Sequence, residues 1–389
     1  MKRTREKQMR KAIFGMLAAF ILVSAVFSGC IAGNTQEKTG NTQQKNGALA
    51  EAPAEDKGAE FMKTKQALLG NMKLYQGNFH SHTANSDGTG TPEEAFKWAK
   101  DDAKFDFYAI TDHAEYLTPI SWGDTGVQAD KFNKDGEFVA VRGFEWSNPY
   151  YGHINVFETG DYTNAILAPV LELFYLWVDT NNAIAQFNHP SREPGIFNNF
   201  KYDASVADNF FMVETGNKDD GNVGNDYYPY YVQALDLGWR VAPSSSQDNH
   251  ELKSNSHRTF VVAGELTRNG IFDAVKARRV YSSDDANMEI IFKLGEIWMG
   301  SEAKAGKANF TVLINDDENI SKVEIITNGG KVAAELSLQS GAGNRRIAWN
   351  PEIDAKPGSY YFARVTEIDE NKDERHGIQI AVTAPIWIG

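Results

Sequence analysis

Between about Met72 and Asp285 the chain repeats one pattern: a short run that is apolar along its whole length, a polar break, then a stretch with helical periodicity. The candidate strands are LYQGNF, FDFYAIT, FVAVRGFE, HINVF, AIAQFN, FFMVET and RVAPSS; the intervening helices include TPEEAFKWAKDDAK and DYYPYYVQALDLG. A strand with no polar face must be covered on both sides, and interleaved helices do the covering. The pattern therefore predicts an α/β fold built on a mostly parallel sheet or barrel. Thr91 as N-cap, Pro92 at the first helical position and Glu94 three residues past the cap form a capping box that starts the first helix. After about Ser283 the texture changes to short β-branched runs such as ANFTVLIND, SKVEIITNGG and GSYYFARVTEID, split by Asn, Gly, Asp and Pro turns. That spacing predicts a small all-β sandwich over 286–389, after an α/β domain over 66–285.

The front of the chain points to export. A basic MKRTREKQMRK precedes the unbroken apolar AIFGMLAAFILVSAVF, and two small residues precede Cys30, the only cysteine among 389 residues. The segment 1–30 resembles a bacterial lipoprotein signal, with Phe27 departing from the aliphatic residue usual there, and implies a lipid-modified Cys30 that tethers the protein to the cell membrane. The alternative is an uncleaved anchor, because Ala12 to Ala32 is long enough to span a bilayer. Residues 31–65 lack hydrophobic periodicity and read as a flexible tether. A formal charge of -13 argues against nucleic acid as a partner. A lone cysteine excludes a disulfide framework and a cysteine-rich zinc site.

The strong metal-ligand types gather at the ends of the candidate strands. His80 and His82 close the first; two apart in an extended chain, their imidazoles leave one face. Asp87 lies five residues on. Asp112 and His113 follow FYAIT, Glu145 closes FVAVRGF, His153 opens HINVF, His189 follows AIAQFN, and Asp248 and His250 follow RVAPSSSQ. Six of the eight histidines are thus at or near a strand end. The carboxyl ends of parallel strands open on one face, so residues distant in sequence can share a pocket there. Imidazole and carboxylate without thiolate suit Zn, Mn or Fe, and Glu145 can bridge two ions. His257 and His376 are expected at the surface.

The segments HSHTANSDG, ITDH, GFEW, GHINV, NHP and QDNH, in this order, resemble the PHP (polymerase and histidinol phosphatase) family, close to its CehA/McbA-like subgroup. The resemblance covers about Leu74 to Asp285. It implies a distorted (β/α)7 barrel and a centre of two or three divalent metal ions. Carried over motif by motif, His80, His82, Glu145 and Asp248 hold one ion, Glu145, His153 and His189 a second, and Asp87, His113 and His250 a third. Three such ions bring about +6 against about -3 from Asp87, Glu145 and Asp248, so the pocket attracts an anion in a chain that is acidic overall. A small phosphate ester fits, cleaved by a metal-bound hydroxide. Asp112 is expected to orient an imidazole, and Arg192 in NHPSRE to clamp phosphate.

Two other readings of the centre remain. The same metals can serve a carboxyl-ester or carbamate hydrolase, or they can stabilise a non-catalytic surface protein. The serines of APSSSQD lack a G-x-S-x-G elbow. DENKDE from Asp369 mimics a calcium loop but has Glu374 where the sharp turn needs glycine, so it reads as a solvated hairpin tip. The aromatic NDYYPYYVQAL can line a substrate wall or simply pack on the sheet.

Overall fold

The apolar runs form strands in a computed structural model, which describes residues 54–192, 196–217, 227–339, 343–372 and 377–389. The export segment with Cys30, most of the expected tether, Glu374 and His376 lie outside these residues. The first described element is a helix, α1 (Ala54–Leu69), so the end of the stretch read as a tether is helical. Seven strands follow: β1 (Lys73–Asn78), β2 (Phe107–Ile110), β3 (Val139–Asn148), β4 (Gly152–Phe157), β5 (Ile184–Asn188), β6 (Phe210–Gly216) and β7 (Ala242–Ser245). They lie side by side in chain order. The β1–β2–β3 and β5–β6–β7 pairings are parallel, while β4 runs antiparallel between β3 and β5. The two ends of this row also touch, where Ser81 just past β1 bridges Asn249 just past β7 and the His82 N–H donates to the Asn249 carbonyl at 2.8 Å.

Strand β2 explains the unbroken apolar runs. All four residues are buried, Phe107 and Ala109 in one core and Tyr108 and Ile110 in another. The second core is roofed by α2 (Pro92–Asp101) and α3 (Pro119–Phe132), through Ala95, Phe96, Ala99 and Ala129. The expected capping box is present: the Glu94 N–H donates to Thr91 Oγ1 at 3.2 Å and the Thr91 N–H to Glu94 Oε2 at 2.7 Å. In the first core Phe79 stacks near Phe107 and Phe157, at 4.6 and 5.6 Å between ring centroids. Burying each such ring contributes about 1.5–3 kcal/mol.

Helix α4 (Leu171–Thr180) precedes β5, and α5 (Tyr228–Asp236) precedes β7. From α5 the aromatic stretch buries Tyr231 against Phe362, a packing role. Ile196–Phe200 is a left-handed turn, with φ between 30 and 56° at all five positions. Such a turn costs about 1–2 kcal/mol per residue. It is held by the Phe197 N–H on the Tyr151 carbonyl (2.7 Å) and by Phe197 and Phe200 against Phe187.

Two antiparallel strands, β8 (Arg258–Ala263) and β9 (Val280–Ser283), flank α6 (Arg268–Lys276) and carry the sheet onward from β1. The C-terminal chain is almost entirely β: β10 (Glu289–Leu294), β11 (Ile297–Trp298), β12 (Glu302–Ala303), β13 (Gly306–Asn315), β14 (Asn319–Thr327), β15 (Lys331–Ser337), β16 (Arg346–Trp349), β17 (Glu352–Ala355), β18 (Tyr360–Ile368), β19 (Ile378–Thr383) and β20 (Ile386–Ile388). Strand β19 pairs with β9, so hydrogen bonds cross from the α/β part into the β part. A second sheet, β11-β10-β13-β16 with β17, meets the first through contacts such as Phe310 on Tyr361, 5.4 Å between centroids. No helix among the described residues is long and apolar enough to cross a membrane.

Candidate metal centre

Parallel register lines up the ends of the first three strands. The Thr111 N–H donates to the Ser81 carbonyl (2.8 Å), the Glu145 N–H to the Asp112 carbonyl (3.0 Å) and the Ala114 N–H to the Glu145 carbonyl (2.8 Å). His80 and His82, His113 and Glu145 therefore reach one level. Antiparallel β4 brings its beginning to the same level, with His153 facing Ser147 of β3 and Asn188 of β5. His189 follows β5, and Asp248 and His250 follow β7.

The structure brings together all nine residues expected as ligands. Their donor atoms fall into four groups able to hold metal ions: His82, Asp87, His113 and His250; His80, His82 and Glu145; His80, His189 and Asp248; and His113, Glu145 and His153. Glu145 is the hub. Fully buried, it has Oε1 3.1 Å from His80 Nε2, 3.3 Å from His189 Nε2 and 3.4 Å from His153 Nδ1. Its Oε2 lies 2.7 Å from His113 Nδ1 and 3.7 Å from His82 Nε2. Asp87 spans His113 (3.5 Å) and His250 (3.3 Å).

The proton positions favour cations. His80 Nδ1 donates to Glu214 Oε1 at 2.9 Å, so its Nε2 presents a lone pair inward. Asp112 Oδ1 accepts from Ser86 Oγ at 2.6 Å, which leaves that oxygen to accept from His82 Nδ1 at 3.4 Å. His82 Nε2 then also points a lone pair inward, 3.1 Å from His80 Nε2. Two such nitrogens facing each other in a buried site need a proton or a metal ion between them, and an imidazole–carboxylate set of this kind fits divalent metal. His250 is fixed alike, its Nδ1 donating to the Asp248 carbonyl at 2.7 Å.

Charge follows the same geometry. Burial disfavours an ionised Glu145, yet His153, His80 and His113 around it hold its carboxyl well below the usual range. Glu214 is lowered too, against its burial, by His80 and His189. Burial opposes protonation of His80, but in the ion-free chain Glu145, Asp248 and Glu214 raise it well above the ordinary value, so that a proton on Nε2 takes the place a metal ion would fill; His82, where desolvation wins, falls to about 4. His113 rises to about 9, because Glu145 overcomes its burial.

Two residues of the centre have strained backbone. His189 and Asp248 both adopt positive φ, 26° and 45°, a conformation that persists only where neighbours over-determine it. The His189 N–H is pinned to Glu214 Oε2 at 2.7 Å, and Asp248 Oδ2 accepts from Arg192 Nη1 at 2.7 Å.

The other expected residues are placed as follows. Asp112 touches no imidazole directly; it accepts from the Thr83 N–H (2.7 Å) and Thr83 Oγ1 (2.8 Å) and reaches His82 only through Ser86. Arg192 lies at the centre, engaged with Asp248. His257, expected at the surface, is 2% exposed, because its Nδ1 is tied to Ser245 Oγ (2.8 Å) and Asp284 Oδ1 (3.1 Å). Serine and carboxylate share one ring nitrogen, so these three are no nucleophile–base–orienter chain. Glu214 escaped sequence reasoning although it ends an apolar strand as Glu145 does.

No family profile matches the chain. It is 21% identical over 365 residues to an uncharacterised protein of Chlamydia pneumoniae, an alignment that takes in 81% of this chain but 57% of that protein. The chain thus spans little more than half of its relative's length. Among solved structures it is similar to a two-domain protein of Bacteroides vulgatus containing a predicted PHP-like metal-dependent phosphoesterase. That match has TM-score 0.45 and 15% identity, covering 76% of this chain and 91% of that one. A match to an engineered protein has TM-score 0.19 and 12% identity, over 77% and 60% of the two chains.

Proposed function

We propose that the chain is a PHP-type metallohydrolase acting on small phosphate esters, with a distorted (β/α)7 barrel over 66–285, a β-sandwich over 286–389 and a lipid anchor on Cys30 at the outer face of the cell membrane. The observation that carries this reading is the gathering of nine imidazole and carboxylate side chains, Glu145 among them as hub, with His80 Nε2 and His82 Nε2 3.1 Å apart. Bound divalent ions supply Lewis acidity and a water acidified toward neutrality. The chain's own residues do the rest. Glu145 and Asp248 provide the negative charge that retains the ions, and Glu214 and the Ser86–Asp112 pair fix the tautomers of His80 and His82. Arg192, held by Asp248 through Nη1, places a guanidinium charge at the centre where an anionic substrate would bind.

Elemental analysis of the purified protein, followed by p-nitrophenyl phosphate, bis-p-nitrophenyl phosphate and p-nitrophenyl acetate, tests the reading. Two or three Zn, Mn or Fe ions per chain and turnover of a phosphate ester are expected. Turnover of the acetate alone assigns carboxyl-ester chemistry. No turnover from the metal-loaded protein leaves a metal-stabilised binding protein.

A further inference from the structure

A second cluster of acidic side chains lies in the C-terminal β part. Asp285 follows β9, Asp316 and Glu318 form the turn between β13 and β14, and Glu367 sits within β18; all are at most 7% exposed. One oxygen from each of Asp285, Glu318 and Glu367 lies within 4.8 Å of the others. Backbone amides anchor the cluster from one side. Asp285 Oδ1 accepts from the Asn287 and Met288 N–H groups (2.6 and 2.7 Å), Glu318 Oε1 from Asn371 (2.7 Å) and Asp316 Oδ1 from Asp317 (2.7 Å). The opposite oxygens, Asp316 Oδ2 and Glu318 Oε2, are buried with no hydrogen-bond partner. Glu367 is the decisive residue: 0% exposed, it faces the Asp316 carboxyl, neither of its oxygens receives a hydrogen bond from a backbone N–H or a cationic side chain, and no described lysine or arginine pairs with it.

Several carboxylates buried together with donors on one side only are mutually repulsive and poorly solvated. Burial and the neighbouring acids raise Asp285 to about 6 and Glu318 to about 7. A hard cation relieves both costs. One oxygen from each residue lies close enough to the others to share an ion, and an all-carboxylate set with no imidazole or thiolate suits a hard cation such as calcium rather than zinc.

We infer that Asp285, Glu318 and Glu367, assisted by Asp316, form a calcium site separate from the histidine centre. Glu367 lies two residues before Asp369, where the sequence mimics the opening of a calcium loop, at the connecting end of the β18–β19 pair, and the cluster ties β9, the β13–β14 turn and β18 together.

Calorimetric titration of calcium into the full-length chain, its histidine centre first filled with zinc, tests this. One calcium per chain is expected, retained by His82→Ala and weakened at least tenfold by Glu367→Gln or Glu318→Gln. At a hundredfold excess over Kd, calcium should raise Tm by about 5 °C. Because the amide substitution removes repulsion, Glu367→Gln should match or exceed the wild type in Tm without metal and gain at most about half as much from the same calcium. Absence of binding up to about 10 mM, above the range of weak extracellular calcium modules, overturns the inference. So does calcium binding that survives both Gln substitutions or disappears with His82→Ala.

Discussion

The chain buries carboxylates in two places, and the same group behaves oppositely in each. At the ends of β1–β7, Glu145 and Glu214 are surrounded by imidazoles and held below the ordinary carboxylate range; beneath the β18–β19 hairpin, Asp285 and Glu318 face other acids and are raised. Burial penalises the ion in both, so the neighbours decide the sign. The donor sets differ accordingly: nitrogen and oxygen for a transition metal at the first, oxygen alone at the second. Position differs as well. The first cluster sits where parallel strands end together, the second between a turn and the interior of an antiparallel sheet.

The largest test of this contrast is Glu145→Gln, which removes the hub. A fall in kcat/KM of at least about a thousandfold is expected, beyond the 10–100-fold cost of an outer partner, together with loss of one or more ions by elemental analysis and unchanged calcium binding. Next comes a pair of substitutions with opposite signs. The lowered Glu214 contributes stability present above its unfolded value near 4.5 and lost as pH falls below it. In chelator-treated protein Glu214→Gln should therefore lower Tm at neutral pH, with the deficit closing in acid, and in loaded protein it should weaken metal affinity by about 10–100-fold. The raised Glu318 contributes stability in acid that is lost as pH climbs from about 4.5 through 7, so Glu318→Gln should gain Tm over the wild type across that window. Parallel pH profiles for the two variants would break the comparison. The smallest effect belongs to neither cluster: Thr91→Ala should cost about 1 kcal/mol, or about 2 °C in Tm, and leave both metal stoichiometries alone.

The first region was legible in sequence because parallel strands obey a convergence rule. Once FYAIT and FVAVRGF are strands, His113 and Glu145 must emerge together, and the Thr91 capping box marks the start of the helix between β1 and β2. Glu214 obeyed the same rule and was overlooked only because no histidine marks it. The second region has no such rule: Asp285, Glu318 and Glu367 read as turn and edge residues, and only the pairing of β19 with β9 and of β18 with β14 brings them together. His257 shows the same limit, since nothing near it in sequence announces Ser245 and Asp284. The left-handed turn at Ile196–Phe200 is hinted at only by Asn198 and Asn199, the residue type that tolerates that conformation; Phe197 and Phe200 adopt it to pack against Phe187.

Just past β1 the chain carries its two imidazoles on alternate residues, with Ser81 between them bridged to Asn249. Parity is therefore the most fragile quantity in the molecule. Adding one residue between Asn78 and His80 would leave β1 paired with β2 and β8, yet would swing both rings to the far side and turn the serine inward. Such a chain could keep its shape while forfeiting its chemistry through a miscount of one.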